Sequence, residues 1–308
     1  MKNKFLVITP KYGLCNQLLS ISKGIILGII TNRNVIFKSF QLDYRDINNT
    51  CDFHDIIDIE YLKKFIIENN IDINIDSNKK DCKKVITYSD TEISYIKDFI
   101  PILMYECNIN ELYLDVENPI SYTIPHEYIN IYNNINVNLK FNDKYINIAN
   151  IIKKNLNLLN YSVIHLRLED DSINFLKEHN NDNKSFEEIN QIYIEKYIKE
   201  IDFIKNKNKN NPIYICTSLN IDNNYNNKIY EDLKLKYNLI DKNDYIKLIN
   251  NKEKCREIYA IIDFIIAKDG LYFIGSDWSS FSIYLYNHYK YSNKACLLID
   301  IWKTIVNN

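Results

Sequence analysis

Glycine and proline are scarce in this 308-residue chain, at five residues each. That excludes collagen-like and Gly/Pro-rich disordered classes. Arginine is scarcer still, occurring only at Arg33, Arg45, Arg167 and Arg256. Basic and acidic residues nearly balance, 38 against 40, for a formal charge of -2. The chain therefore lacks the positive field that a nucleic-acid or anionic-membrane partner requires. Its seven cysteines, at 15, 51, 82, 107, 216, 255 and 296, are odd in number, widely spaced and without a CxxC pair. This pattern argues against a disulfide framework and against a structural zinc site, and reduced thiols are expected. The apolar stretch Gly24–Ile30 falls far short of the ~18 residues that span a bilayer. The run Phe5–Thr9 is too short for a signal h-region, and no small-residue cleavage site follows it. The expectation is a cytoplasmic protein with no membrane span and no nucleic-acid partner.

Composition is otherwise that of a globular protein, 46% hydrophobic and 25% charged, enough for real cores. The heavy use of Ile, Asn, Lys and Tyr reads as coding bias rather than function. Phe5–Thr9 is a β-branched run ended by Pro10, which predicts a buried strand. A loop at Tyr12–Cys15 follows, then helical spacing from Asn16 to about Thr31, then a second strand at Val35–Phe37. Strand, Gly-containing loop, helix and strand make half of a nucleotide-binding βαβ unit. Residues 72–142 mix short apolar runs with Asn/Asp-rich loops and give no clear pattern. A helix is expected at Tyr145–Leu158, leading between two lobes. Beyond it, strands and helices alternate: strand Tyr161–Leu166, helix Phe186–Lys205, strand Pro212–Thr217, helix Asn227–Tyr237, helix Lys252–Ala267, strand Leu271–Ile274, helix Trp278–Tyr289 and strand Ala295–Ile299. Such alternation predicts an α/β fold with parallel sheets covered by helices. The expected division is an N-terminal Rossmann-like lobe over 1–155 and a C-terminal one over 156–308. The Lys/Asn run from Lys205 to Asn211 reads as a solvated turn.

Three constellations carry possible chemistry. Gly13-Leu14-Cys15-Asn16-Gln17 opens the first helix, where a glycine lets backbone approach a ligand and first-turn N–H groups attract phosphate. The alternative is a tight turn with Asn16 as N-cap. His165-Leu166-Arg167-Leu168-Glu169-Asp170-Asp171 follows the first strand of the second lobe. Alternation puts His165 and Arg167 on one side, beyond a strand's carboxyl end where ligands of open α/β sheets sit. An arginine there can fork two pyrophosphate oxygens. The alternative is a salt bridge to Glu169 or Asp171. The third constellation is Asp263 with the strand–loop–helix segment Tyr272 to Ser282, a second phosphate cradle with Ser279 and Ser280 as extra donors. Here Ser279 is alternatively a plain helix cap. Asp263 lies in an otherwise apolar stretch and needs a partner: a guanine edge, or an internal Lys or Arg.

Together the three resemble the GDP-fucose O-fucosyltransferase superfamily. Gly13–Gln17 is similar to its GGxNNQ-type loop, His165–Asp171 to the HLRFExD motif of plant-type members, and Asp263 to Ser282 to the Asp…FIGTxxSTFS segment of protein O-fucosyltransferases. Asp52-Phe53-His54-Asp55-Ile56-Ile57-Asp58 resembles their FSDIFD segment. The motifs fall in family order between residues 5 and 290. The resemblance implies a GT-B architecture, two lobes with an inter-lobe cleft, the first on the acceptor side and the second on the donor side. It implies a nucleotide-diphosphate sugar as donor substrate, no cofactor, and an inverting transfer that needs no metal. Arg167 would bind the β-phosphate and His165 line the nucleotide site. Gly13, Leu14, Cys15 and Asn16 would contact the donor, Asp263 would read the base, and Ser279, Ser280 and Phe281 would hold phosphates and nucleotide. The implied catalytic set is Arg167, Asn16 and Glu169.

Departure of the sugar builds charge on the leaving β-phosphate, and a fixed Arg with helix N-termini stabilises that charge without a divalent ion. No DxD motif stands in a first-lobe loop, and Asp170-Asp171 lacks that context. Lys11-Tyr12 stands where some relatives place a glycine or a carboxylate, so no general base shows there. Glu169, Asp171 or the phosphate itself would take the acceptor's proton. The expected reaction moves fucose from GDP-fucose to a hydroxyl of a glycan or protein acceptor. The alternatives are a rhamnosyltransferase with a UDP- or GDP-linked donor, and a nucleotide-sugar-binding protein that does not transfer. A Rossmann dehydrogenase is disfavoured, because no GxGxxG follows Thr9.

Overall fold

The computed structural model of the protein describes residues 4–43, 45–76, 113–117, 123–168, 174, 176–178, 184–207, 211–217, 224–244 and 255–301. The chain divides into two compact units, Met1–Lys144 and Tyr145–Asn308.

In the first unit, strand β1 (Phe5–Thr9) leads through a loop into helix α1 (Leu14–Ile30) and strand β2 (Asn34–Phe37). Strands β3 (Phe40–Asp43) and β4 (Asp46–Cys51), helices α2 (Phe53–Ile56) and α3 (Ile59–Glu68), strands β5 (Ile75–Asp76) and β6 (Tyr113–Glu117), and helix α4 (Ile129–Asn138) follow. The main sheet runs β5-β2-β1-β6 with every pair parallel. Leu6, Val7 and Ile8 are all buried, because a strand between parallel neighbours with both faces covered has no polar side to show. β3 and β4 form an antiparallel ribbon of their own. The segment Asp52–Asp58 contributes α2, whose Phe53 stacks on Phe37 with ring centroids 4.6 Å apart.

The second unit holds helix α5 (Asp143–Asn155) apart from its first two residues, then β7 (Ser162–His165), α6 (Phe186–Lys207), β8 (Ile213–Cys216), α7 (Asn224–Tyr237), β9 (Leu239–Ile240), α8 (Arg256–Asp269), β10 (Tyr272–Ser276), α9 (Ser280–Tyr291) and β11 (Ala295–Ile299). Sequence reasoning assigned α5 to the first lobe, with the division at 155. The division instead falls at Lys144/Tyr145, and within the second unit Lys153 Nζ of this helix pairs with Asp269 Oδ2 at 2.5 Å, at the end of α8. The sheet is parallel throughout, in the order β11-β10-β7-β8-β9.

Period-2 alternation sorts this sheet's side chains onto two faces. Ile164, Ile213, Ile215 and Ile274 pack with Tyr193, Tyr197 and Ile201 of α6 and Leu233 of α7. On the other face Tyr214 meets α8 through Asp263, and Phe273 meets α9 through Tyr289. His165 has the parity of Val163, and Ser282 of α9 is its partner on that second face.

Candidate functional site

The second sheet grows in two directions from β7: β8 and β9 lie to one side, β10 and β11 to the other. The strand order therefore reverses between β7 and β10, and the crevice beyond their carboxyl ends is where such sheets bind ligands. His165 ends β7, and Ser276 ends β10.

Both ends are fixed by neighbouring helices. The His165 carbonyl accepts a hydrogen bond from the Tyr197 hydroxyl at 2.9 Å, and the Arg167 N–H donates to the Tyr193 hydroxyl at 3.1 Å. Two tyrosines one helical turn apart on α6 thus set the backbone that presents both side chains. His165 Nδ1 lies 2.7 Å from Ser282 Oγ, and its ring packs 4.6 Å from that of Phe281. The Ser276 N–H donates to the same serine oxygen at 3.1 Å. Gly275 is required here, since a Cβ would stand 2.5 Å from Ser282 Oγ. The Arg167 guanidinium, partly exposed, lies 5.3 Å over the Trp278 ring, which joins it to the loop after β10. The structure therefore brings together His165, Arg167, Phe281 and the Ser276–Ser282 loop. Ser279 stands at the N-cap position of α9, buried and without a capping bond from its side chain, and Ser280 begins the helix. No acidic residue occupies the helix's first turn, so its positive end is not neutralised locally.

Burial, then the charges of Arg167 and Lys242, push the His165 imidazole down to about 3. It is a neutral ring at physiological pH and cannot serve there as a general acid. This has a consequence for stability. Between about 6.5 and about 3 the unfolded chain carries a proton on this histidine that the folded chain does not, so stability rises with pH across that window. The contribution is complete above about 6.5 and is lost on acidification at up to about 1.4 kcal/mol per pH unit. His288, pushed down to about 4 by burial and then by Lys268 and Lys294, adds in the same direction. Urea midpoints at pH 7.5, 6 and 5 should fall steadily; a flat profile would contradict the neutral His165.

Asp263 departs from the expected role of an open base reader. It is 3% exposed, and both its oxygens have protein partners: the Tyr214 hydroxyl at 2.6 Å and Lys242 Nζ at 2.5 Å. Lys242 Nζ also donates to the carbonyl of Thr217, just past β8. Burial pushes the Asp263 carboxyl up, and Lys242 and Tyr214 oppose that shift. The internal lysine left open in the sequence is thus Lys242, which no motif there singled out.

The loop after β1 also has its own architecture. Tyr12 adopts a left-handed conformation, φ 71°, while Gly13 does not. A Cβ at Gly13 would meet open space, so internal packing does not demand glycine there. Asn16 is not the N-cap; α1 begins at Leu14 with Gly13 capping, which puts Asn16 in the third helical position, half-buried. The side chains of Leu14 and Cys15 are buried, so only their backbone can face a ligand. Sequence reasoning placed Gln17 in the Gly13–Gln17 motif without giving it a role, and passed over Gln41. Gln17 is fully buried and donates to the carbonyls of Tyr12 and Gln41, both at 2.8 Å, and accepts from the Gln41 N–H at 2.9 Å. Gln41 Oε1 accepts from the Tyr12 N–H at 2.8 Å. The two glutamines clamp the loop onto β3. A glutamine four residues beyond Gly13, closing the Gly13–Gln17 motif, was the available signal.

Glu169, Asp170 and Asp171 lie outside the described residues. Among the described residues, Asp52, His54 and Asp55 come within 4.8 Å of one another at the surface, an arrangement common without an ion.

A family model described as GDP-fucose protein O-fucosyltransferase matches residues 13–292. No curated protein matches the chain by sequence. Among solved structures, POFUT1 in complex with GDP-fucose aligns with a TM-score of 0.61 at 10% identity, covering 97% of this chain and 98% of that one. The fucosyltransferase NodZ from Bradyrhizobium aligns with a TM-score of 0.53 at 11% identity, covering 93% of each chain. The shared architecture is GT-B, with parallel α/β sheets.

Proposed function

From the premise that this chain belongs to the GDP-fucose protein O-fucosyltransferase family, we propose that it is a glycosyltransferase that moves fucose from GDP-fucose to an acceptor hydroxyl, with inversion and without a metal ion. The observation that carries the reading is the site at the switch point of the second sheet: Arg167 over Trp278, beside a neutral His165 that is bonded to the Ser276–Ser282 loop. POFUT1 has been crystallised with GDP-fucose and NodZ with GDP, which supports the same donor class here.

On this reading the leaving group is GDP. The bond between the sugar's anomeric carbon and the β-phosphate oxygen breaks, and a new bond forms from the acceptor oxygen on the opposite face of the sugar. The acceptor proton passes to a carboxylate or to the departing phosphate. Negative charge accumulates on that phosphate, and the Arg167 fork with the N-terminal N–H groups of α9 meets it. A neutral His165 adds no charge and serves as a hydrogen-bonding wall of the site, with Phe281 against its face. The acceptor is a glycan or a protein. We place the enzyme in the cytoplasm, in keeping with Cys15, Cys51, Cys216, Cys255 and Cys296, which form no disulfide.

GDP should bind with a micromolar or tighter constant, unchanged by EDTA, because an arginine and a helix terminus do the neutralising. Calorimetric titration of GDP with and without chelator checks this, and loss of binding in EDTA would remove the metal-free mechanism. Release of fucose or its transfer to added acceptors, followed with GDP-fucose and a UDP-linked sugar side by side, tests the donor.

A further inference from the structure

Among the described residues, six other than glycine adopt a positive φ. Five are asparagines: Asn32, Asn70, Asn157, Asn238 and Asn293. Each lies within two residues of the end of a helix, in turn α1, α3, α5, α7 and α9. A left-handed residue closes the last helical turn there, and asparagine stands in for glycine in a chain with only five glycines. Tyr12 is the sixth, at φ 71°. It lies between β1 and α1, so no helix ending calls for it. A bulky side chain in this conformation is an outlier that costs free energy.

Strain of this kind persists only where the surroundings impose it. Two buried side chains do so: Gln41 Oε1 accepts from the Tyr12 N–H, and Gln17 Nε2 donates to the Tyr12 carbonyl. The Tyr12 side chain itself does not offset the cost. It is 43% exposed, with no hydrogen bond, aromatic or cation–π contact among the described residues. Its place in the fold is informative as well. The first sheet grows from β1 in two directions, to β2 and β5 on one side and to β6 on the other. The end of β1 therefore marks that sheet's switch point, where open α/β sheets bind ligands. Tyr12 stands three residues past this end. Beside it, Gly13 leaves open space where a Cβ would be. Asn16, in the first turn of α1, holds a half-buried side-chain amide with no hydrogen bond among the described residues.

We propose that Tyr12 is a substrate-stacking residue, held out by the two glutamines at the switch point of the first sheet to pack against the C–H face of a sugar ring. This rests on the reading of the protein as a glycosyltransferase and adds a specificity-determining residue to it. A pyranose has a face of C–H groups and a rim of hydroxyls. The face suits a flat aromatic ring, and the rim suits a neutral amide such as that of Asn16. A phosphate has no such face, and the negative π-cloud of a phenol ring repels it. The stacked ring belongs to the fucose of the donor or to a sugar of a glycan acceptor. Both present the same chemistry, and the test separates them. The strain at Tyr12 is retained for the ring and not for the turn, so asparagine there keeps the turn and loses the function.

Tyr12→Asn installs the residue type of the other five left-handed positions, so the loop and its clamp survive. Its urea midpoint should equal or exceed that of the wild type, because the strain is relieved. Two reactions are measured on the full chain: hydrolysis of GDP-fucose in water, and fucosyl transfer to methyl galactoside, methyl glucoside and methyl N-acetylglucosaminide. In Tyr12→Asn kcat/KM should fall roughly 10-fold or more, the scale of one lost aromatic contact. Tyr12→Phe keeps the ring and should recover most of that loss. Loss in hydrolysis and transfer alike assigns the stacked ring to the donor; loss in transfer alone assigns it to the acceptor. Tyr12→Asn activity within about threefold of wild type in both reactions, against the tenfold expected, would overturn the proposal. So would a Tyr12→Phe enzyme as impaired as Tyr12→Asn, which makes the hydroxyl the working group. A lower urea midpoint in Tyr12→Asn also overturns it, making the ring part of the fold. Undiminished hydrolysis in Tyr12→Asn, with no glycoside accepted by the wild type, does the same and leaves a peptide as acceptor. Each of these results spares the enzyme reading. A wild type that neither hydrolyses nor transfers would take both down.

Discussion

Arg167→Ala should lower fucosyl transfer and donor hydrolysis by roughly 100- to 1000-fold, the usual cost of losing one preorganised donor to a developing anion. The residue stands two positions beyond the end of β7, at the point where the strand order of the second sheet reverses. Its backbone is held by Tyr193 and its guanidinium lies over Trp278, so the fork is placed before any ligand arrives. Phosphate charge grows as the sugar leaves, so an arginine contact strengthens towards the transition state and acts on turnover more than on binding. Arg167→Lys keeps one charge but loses the fork and the flat face against Trp278, and should remain badly impaired. Stability should change little, since the side chain is partly exposed and its contact with Trp278 contributes about 0.5–1 kcal/mol. Turnover with GDP-fucose and circular dichroism on both variants decide the matter. A folded Arg167→Ala enzyme that keeps more than about a tenth of wild-type turnover, against the expected two to three decades, would place the phosphate elsewhere.

Much of this site is legible in the sequence because the chemistry lives at strand ends. A short run with β-branched residues at its centre, such as Val163 and Ile164 in Ser162–His165, marks a buried parallel strand, and whatever follows it lies at the sheet's carboxyl edge. That is why His165, Arg167 and the loop from Gly275 to Ser282 could be named from their positions. Ala295–Ile299 shows the same logic: an apolar run whose expected limits match those of β11. The polar strands were illegible for the converse reason. Gln41, Asp43, Asp46 and Asn48 gave no strand signal, since β3 and β4 pair with each other in a small ribbon rather than inside a buried sheet.

The contacts that sequence reading missed join residues far apart in the chain. Ser282 reaches His165 across 117 positions and Gln41 meets Gln17 across 24. The cap reading fell on Ser279, and nothing local marks Ser282 as the serine with a distant partner. Here it is the hinge between two strand ends, and Gly275 is glycine to make room for it. Nor does hydropathy distinguish a carboxylate awaiting a ligand from one already paired. Asp263 sits on the buried side of α8 in either case, and only the fold brings a lysine from beyond β9 to meet it.

Asp263→Asn should therefore destabilise the fold by about 3–5 kcal/mol, whatever it does to nucleotide binding, because it strands a buried ammonium. The amide oxygen can still accept from Lys242 while its NH2 donates to the Tyr214 hydroxyl oxygen, so the main quantity lost is charge compensation rather than hydrogen bonding. An upper bound comes from letting Lys242 give up its proton instead. From an ordinary value of about 10.4 that costs about 1.4 kcal/mol per pH unit, or on the order of 5 kcal/mol at pH 7. The pH dependence identifies the cause. In the variant the folded-state lysine binds its proton less tightly than the unfolded one, so the unfolded chain carries more protons and stability climbs as pH rises from 7 towards 10. Adding Lys242→Met to Asp263→Asn removes the stranded charge and should recover most of the loss, a coupling that a double-mutant cycle reads directly. Urea unfolding of the four proteins at pH 7 and pH 9.5 supplies the measurement. If the single variant loses less than about 1 kcal/mol, or the second substitution adds to the damage rather than repairing it, the two side chains are not a charged pair and Asp263 is open to a ligand by itself.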